Sequence, residues 1–242
     1  MRLLTVTLLL PACTQSDPKD SGAADSAPAP ATALVYLHGE AGLYTWSEAD
    51  GAALVGTFHD AKSTSVLPVM TDIAIDGDGA LYAAADTALY RVDATNGACT
   101  PVTTLPDAGT GLTFLPDGRL LVAGTTLTVV DLATATSEPL LADSPYATSG
   151  DVVAVPDGSI HWSVVLGASD GWVRVDPTAG TATLVGEVGA SRLWGVAYAD
   201  GTLYAFSADG TSLAVDPTTG VGTLLRSDTE PWYGATTNPV RW

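Results

Sequence analysis

WGVAYADGTLYAFSADGTSLAVDPTTGVGTLL, from Trp194 to Leu225, is one complete four-stranded unit. An apolar stretch over Val196 to Ala199 meets a turn at Asp200-Gly201, and a second strand carries Leu203-Tyr204. A third strand ends at Asp216, where Pro217-Thr218-Thr219-Gly220 turns the chain into a fourth. Asp opening a turn, Pro fixing φ beside it and Gly supplying φ > 0 are the residues that type I turns with a following bulge require. The pattern predicts an antiparallel meander.

The same landmarks recur upstream at a period of about 40 residues, the size of one propeller blade. DVVAVPDGSIHWSVV and GWVRVDPTAGTATLV carry Asp157-Gly158, Ile160-His161 and Asp176-Pro177. LTFLPDGRLLVAG and LTVVDLATATSEPLL carry Asp117-Gly118 and Asp131, and IAIDGDGALYAAA and LYRVDATNGACTPV carry Asp78-Gly79, Asp93 and Asn96-Gly97. Four units are complete. Ala33 to Phe58 supplies three further strands without a first, and WYGATTNPVRW at the C-terminus supplies a first strand without a continuation. Joined, the two ends make a fifth unit and close a ring with no open edge. The expected fold is therefore all-β: a β-propeller of five four-stranded blades, closed by pairing of the N- and C-terminal strands. Alternation along the second strands predicts that Leu81, Leu120, Ile160 and Leu203 face one neighbouring sheet, and Tyr82, Leu121, His161 and Tyr204 the other. Over about Ala33 to Trp242 the repeats resemble those of gluconolactonase-like, NHL and quinoprotein-like propellers of bacteria.

The start of the chain has a different character. Met-Arg precedes an apolar run from Leu3 to Leu10, too short to span a bilayer, and then Leu10-Pro11-Ala12-Cys13. That tetrapeptide resembles the lipobox of bacterial lipoproteins, which implies a signal peptide over 1–12, a lipidated Cys13 as the membrane anchor and, with Thr14 following it, an outer-membrane address in the cell envelope. Residues 13–32, rich in Ser, Ala, Pro, Asp and Gly, form the expected disordered tether to a propeller domain over 33–242. With Cys13 lipidated, Cys99 has no internal partner and no disulfide is expected.

Nine basic against 27 acidic side chains give a net charge of −18, which excludes nucleic-acid binding, because a polyanion would be repelled. DGDG at Asp76 to Gly79 lacks the further ligands of a calcium loop and is read as a hairpin turn. His38, His59 and His161 have no zinc-type spacing; His161 is expected in the core and His59 in a long exposed connection, Phe58 to Met70. No nucleophile elbow, phosphate loop or cofactor fingerprint is present.

Two sets of residues remain as site candidates. Asp72 and Asp151 open first strands, where the resemblance to gluconolactonases implies a divalent cation; capping of backbone amides is the other use open to them. Arg192, Trp194, Trp232, Tyr233 and Tyr146 lie in connections between blades, on a face around the central channel, and with His59 they are candidate ligand contacts. Packing between blades is the other use of at least one Trp, and Trp46, Trp162 and Trp172 are expected in the core. The expected function is a membrane-anchored, non-enzymatic module that binds a protein, peptide or glycan and needs no cofactor. A divalent-metal-dependent, lactonase-like hydrolase is the alternative.

Overall fold

Alternating apolar residues and regularly spaced turns leave the chain one way to bury its sheets, which is against one another around an axis. The computed structural model describes residues 27–241 apart from 33 and 142. Three strands come first, β1 (Val35–His38), β2 (Gly42–Ser47) and β3 (Gly51–Thr57), followed by the two-residue β4 (His59–Asp60). The first full blade is β5 (Asp72–Ile75), β6 (Leu81–Ala85), β7 (Ala88–Val92) and β8 (Ala98–Thr104). The second is β9 (Gly111–Phe114), β10 (Leu120–Ala123), β11 (Leu127–Asp131) and β12 (Thr136–Pro139). The third is β13 (Thr148–Ala154), β14 (Ile160–Val165), β15 (Asp170–Asp176) and β16 (Thr181–Glu187). The fourth is β17 (Leu193–Ala199), β18 (Thr202–Ser207), β19 (Thr211–Val215) and β20 (Gly222–Ser227). The last strand, β21 (Gly234–Thr237), pairs with β1, so that the fifth blade runs β21-β1-β2-β3. Its register, Val35 opposite Thr237 and His38 opposite Gly234, joins the two ends of the chain as expected.

Asp recurs at the turns for a local reason. In all four full blades the Asp that closes the third strand turns its carboxylate back onto the amide two residues on: Asp93 to Thr95, Asp131 to Ala133, Asp176 to Thr178 and Asp216 to Thr218, at 2.7–2.9 Å. This Asx geometry supplies the acceptor that the turning backbone needs, and accounts for much of the negative charge. The Asp200-Gly201 turn differs from the bulged type I expectation. Ala199 pairs directly with Thr202 and both turn residues have positive φ, 48° and 81°, the two-residue hairpin turn that matches strand twist.

Five apolar clusters fill the five interfaces between blades. Leu81 packs toward the fifth blade and Tyr82 toward the second, and the same split holds for Leu120 and Leu121 and for Leu203 and Tyr204. Trp46, Trp162 and Trp172 are buried as expected, and His161 is buried with its Nδ1 accepting the Trp172 indole N–H at 3.0 Å.

Two expectations need correction. The connection after Phe58 is not wholly loop, because His59 and Asp60 run parallel to Ala98 and Cys99 and add a fifth strand outside β8. The end of the expected tether is docked: the Ala31 amide donates to Gly79 O, Ala31 O accepts from Asn238 Nδ2, and Ala29 O accepts from the Ala94 amide. The signal segment, Cys13 and the tether up to residue 26 lie outside the described residues. Among the described residues no helix is long and apolar enough to cross a membrane.

Candidate functional site: the mouth of the central channel

Each inner strand, β5, β9, β13, β17 and β21, begins on the face that carries the connections between blades, called here the upper face. The contacts of Ala29 and Ala31 are with hairpin turns of the opposite, lower face. Positions equivalent in register near the upper end of the five inner strands read Asp72, Gly111, Asp151, Gly195 and Gly234. Glycine stands at three of them because the ring is narrow. A Cβ on Gly111 would run into Gly150 and Asp151, and one on Gly234 into the Asp72 carboxylate and the His38 imidazole.

The two carboxyl groups fill the space that the glycines leave. Asp72 reaches from β5 to the second blade, where its Oδ2 accepts the Leu112 amide at 2.5 Å. Asp151 reaches from β13 to the fourth blade, with Oδ2 accepting the Val196 amide at 2.5 Å and Oδ1 the Val152 amide at 2.6 Å. Thr113 and Thr237 do the same work with hydroxyls, accepting the Ala154 amide at 3.1 Å and the Tyr198 amide at 2.5 Å. Inner strands have no fifth strand to pair with, so side chains of the next blade satisfy their free backbone donors.

Asp72 and Asp151 are both fully buried and lie close enough for each to influence the other's titration. Burial raises both pKa values: Asp72 well above the usual carboxylate range, with a further rise from the neighbouring Asp151 charge, and Asp151 to about 8. Burial thus favours the protonated form of both carboxyls. His38 is buried beside them, its Nδ1–H donating to Gly39 O at 3.0 Å and its Nε2 4.0 Å from Asp72 Oδ1. Burial lowers its pKa to about 4, so the ring is neutral with a bare Nε2 lone pair.

These carboxyls do not suit a divalent cation. Three of their four oxygens are occupied by backbone amides, and the pair favours its protonated form, whereas a hard cation needs free carboxylate oxygens. Among the described residues no group of three or more His, Cys, Asp or Glu is arranged around a common metal position. The metal expectation for Asp72 and Asp151 gives way to the backbone-capping one, with the correction that the amides belong mostly to neighbouring blades.

Above the pair lies a cup of about 360 Å³, lined by Val69, Met70, Thr71, Thr110, Ser149, Gly150, Trp194 and Tyr233. Five of these, Thr71, Thr110, Gly150, Trp194 and Tyr233, occupy one position in five blades: the residue just before each inner-ring position. The sequence singles out only the two aromatic ones; aligning the repeats on the inner-strand starts would have found the rest. Trp194 and Tyr233 stand edge to face, centroids 5.5 Å apart, and wall one side, while the small residues open the other.

The remaining candidates are elsewhere. Trp232 is 1% exposed and packs edge-on against Tyr44, centroids 5.3 Å apart, in the core between the fourth and fifth blades, so it is a packing residue. Tyr146 lies edge-on against Trp162, and Arg192 is exposed on the upper face in an ion pair with Asp209. His59 sits at the outer edge of the first blade, its ring Nδ1 donating to Thr57 O at 2.8 Å. Cys99 is buried and free of a disulfide, and burial raises its thiol pKa to about 12, which makes it inert as a nucleophile. A larger hollow of about 720 Å³ on the lower side includes Asp157, Arg174 and Asp176. Its charged groups do not converge on a point: Asp157 pairs with Arg174, and Asp176 holds its own turn.

No protein-family model matches this chain, and no curated protein sequence does. Solved structures do resemble it. One is a chain of a crystal structure of a nidogen/laminin complex, 10% identical, with a TM-score of 0.60 over 86% of this chain and 99% of that one. Another, provisionally assigned as a gluconolactonase, is 15% identical with a TM-score of 0.47 over 60% of this chain and 58% of that one. The first likeness is one of fold alone; the second is too low to carry an argument.

Proposed function

We propose that this protein is a non-enzymatic binding module of the cell envelope, tethered through Cys13, that takes a protein or peptide ligand at the upper-face cup. The observation that carries the binding reading is the convergence of five equivalent positions on one apolar cup with an aromatic wall, the composition of a recognition site. A protein or peptide is favoured over a glycan because the cup is mainly apolar and three of its rim hydroxyls already donate within the protein. Thr71 donates to Ala84 O at 3.3 Å, Thr110 to Ala123 O at 2.9 Å and Ser149 to Asp170 Oδ2 at 2.5 Å. A protein partner is in keeping with the likeness in fold to a chain of a nidogen/laminin complex. Residues 29–31 dock on the lower face, so a tether leaving there would hold the cup away from the membrane.

The test is a photo-crosslinking amino acid at Val69 in the full chain, expressed in its native membranes. A discrete crosslinked partner that is lost in Trp194→Ala, together with release of Cys13→Ala into the soluble fraction, is the expected result. Crosslinking that is unchanged by Trp194→Ala would overturn the cup as the site. Retention of a folded Cys13→Ala protein in washed membranes would overturn the anchor.

A further inference from the structure

The cup has features that narrow the chemistry of what it can hold. Its walls are Val69, Met70, Trp194 and Tyr233, and Val69 is 51% exposed at the lip. The Thr71, Thr110 and Ser149 hydroxyls of the rim already donate to Ala84 O, Ala123 O and Asp170 Oδ2, so they offer a ligand acceptor oxygens but no hydrogens. The carboxyl pair beneath the floor is fully buried and favours its protonated form, so it offers no charge to a ligand. A volume of about 360 Å³ is at the small end for a ligand site, where about 300–1,000 Å³ is usual, and has room for one large apolar side chain together with part of its backbone.

Charge on the upper face is mostly of one sign. The upper-face turns and connections carry Glu40, Asp86, Asp107, Asp143, Asp209 and Glu230. Arg192, the arginine of the connections between blades, is taken by Asp209, and Lys62 lies beside Asp60 on the outer edge. An anionic ligand would meet repulsion and no counter-charge, whereas cationic groups flanking an apolar anchor would meet acids on several sides. Desolvation favours the same division of labour, since the anchor enters the dry cup and the flanking ammonium groups stay in water.

We infer that the cup is the receptor for one phenylalanine- or leucine-sized side chain of a partner protein's exposed segment, flanked by lysine or arginine. This rests on the binding function proposed above and adds the partner's chemistry to it. The aromatic wall takes the anchor, and the acidic rim sets orientation and selects against acidic segments.

Blocked pentapeptides with a central para-fluorophenylalanine between Lys pairs, or between Glu pairs, would be titrated with the full chain and followed by fluorine NMR. The Lys-flanked peptide should shift and broaden on binding, and weaken steeply as salt is raised; the Glu-flanked peptide should not bind. A Lys-flanked peptide with central Ser, used as competitor, should be weaker by about tenfold or more. Thr110→Trp, which places a ring in the cup from an exposed position, should abolish binding. Should that variant not fold, Trp194→Ala at a half-exposed site should cost about tenfold. Equal binding of the Glu-flanked peptide, equal competition by the Ser peptide, or no loss in the folded cup variants would overturn the inference. Failure of every peptide, alongside a Trp194-dependent crosslink in membranes, would sink this chemistry and leave the binding function standing.

Discussion

Replacing Asp72 by Asn should make the protein progressively more stable than its parent as pH rises. In the native ring Asp72 is fully buried beside Asp151 and keeps its proton, while in the unfolded chain it ionises near pH 4. Because the folded pKa is raised, the stability it contributes is complete below pH 4 and is lost as pH climbs toward the folded pKa. The loss is about 1.4 kcal/mol per pH unit for one proton. Asn cannot ionise, so this loss disappears. Its side-chain oxygen can accept the Leu112 amide as Oδ2 does, and its NH₂ would stand where Oδ1 does, facing the bare Nε2 of His38. Both Asp72 Oδ1 and His38 Nε2 lack a hydrogen-bond partner in the wild-type structure, so the exchange breaks no hydrogen bond there. The difference between the proteins should therefore widen as pH rises from 5 to 7, by about 1.4 kcal/mol per pH unit while native Asp72 keeps its proton, against a usual domain stability of about 5–15 kcal/mol. Asp151, with its pKa raised to about 8, loses stability over the same range in both proteins. His38 and His161, with pKa values lowered to about 4, contribute stability above pH 6.5 that is lost as pH falls through 4, again in both. The histidine contributions cancel in the difference to first order, whereas that of Asp151, which interacts directly with Asp72, changes with the substitution. Denaturant unfolding at pH 5, 6 and 7, followed by tryptophan emission, measures the difference. A difference that stays constant with pH would refute a protonated Asp72.

Deleting residues 233–242 removes β21, the inner strand of the closing blade, whose four residues are all buried. With each ladder hydrogen bond worth about 1 kcal/mol, and the ring opened as well, the truncated protein should aggregate or melt far below the parent; melting within a few degrees of it would refute closure by this strand. Trp232→Ala should cost about 3–5 kcal/mol of stability while the surviving folded protein still crosslinks to its partner at the cup, because this ring packs between blades. Normal melting combined with lost crosslinking would return Trp232 to the site.

The blade number, the turn positions and the joining of the two ends were legible in the sequence because the physics behind them is local. An Asp that caps the amide two residues on, a Gly with positive φ and a period-two alternation act within a few residues of themselves, as Asp216 to Gly220 shows. The site was only half legible. Trp194 and Trp232 look alike in the sequence, each a tryptophan just ahead of an inner strand, yet one lines the cup and the other is core. One residue of register separates them: Trp194 directly precedes Gly195, as Tyr233 precedes Gly234, whereas Trp232 is equivalent to the buried Leu193. Successive side chains on an extended chain point to opposite sides, so that single step decides between ligand and packing. Asp72 and Asp151 lie 79 positions apart, and nothing near either in the chain shows that they share one buried space. The tertiary structure decided that, because it takes a closed ring, with glycine at the other three inner positions, to bring two carboxyl groups from different blades together away from water.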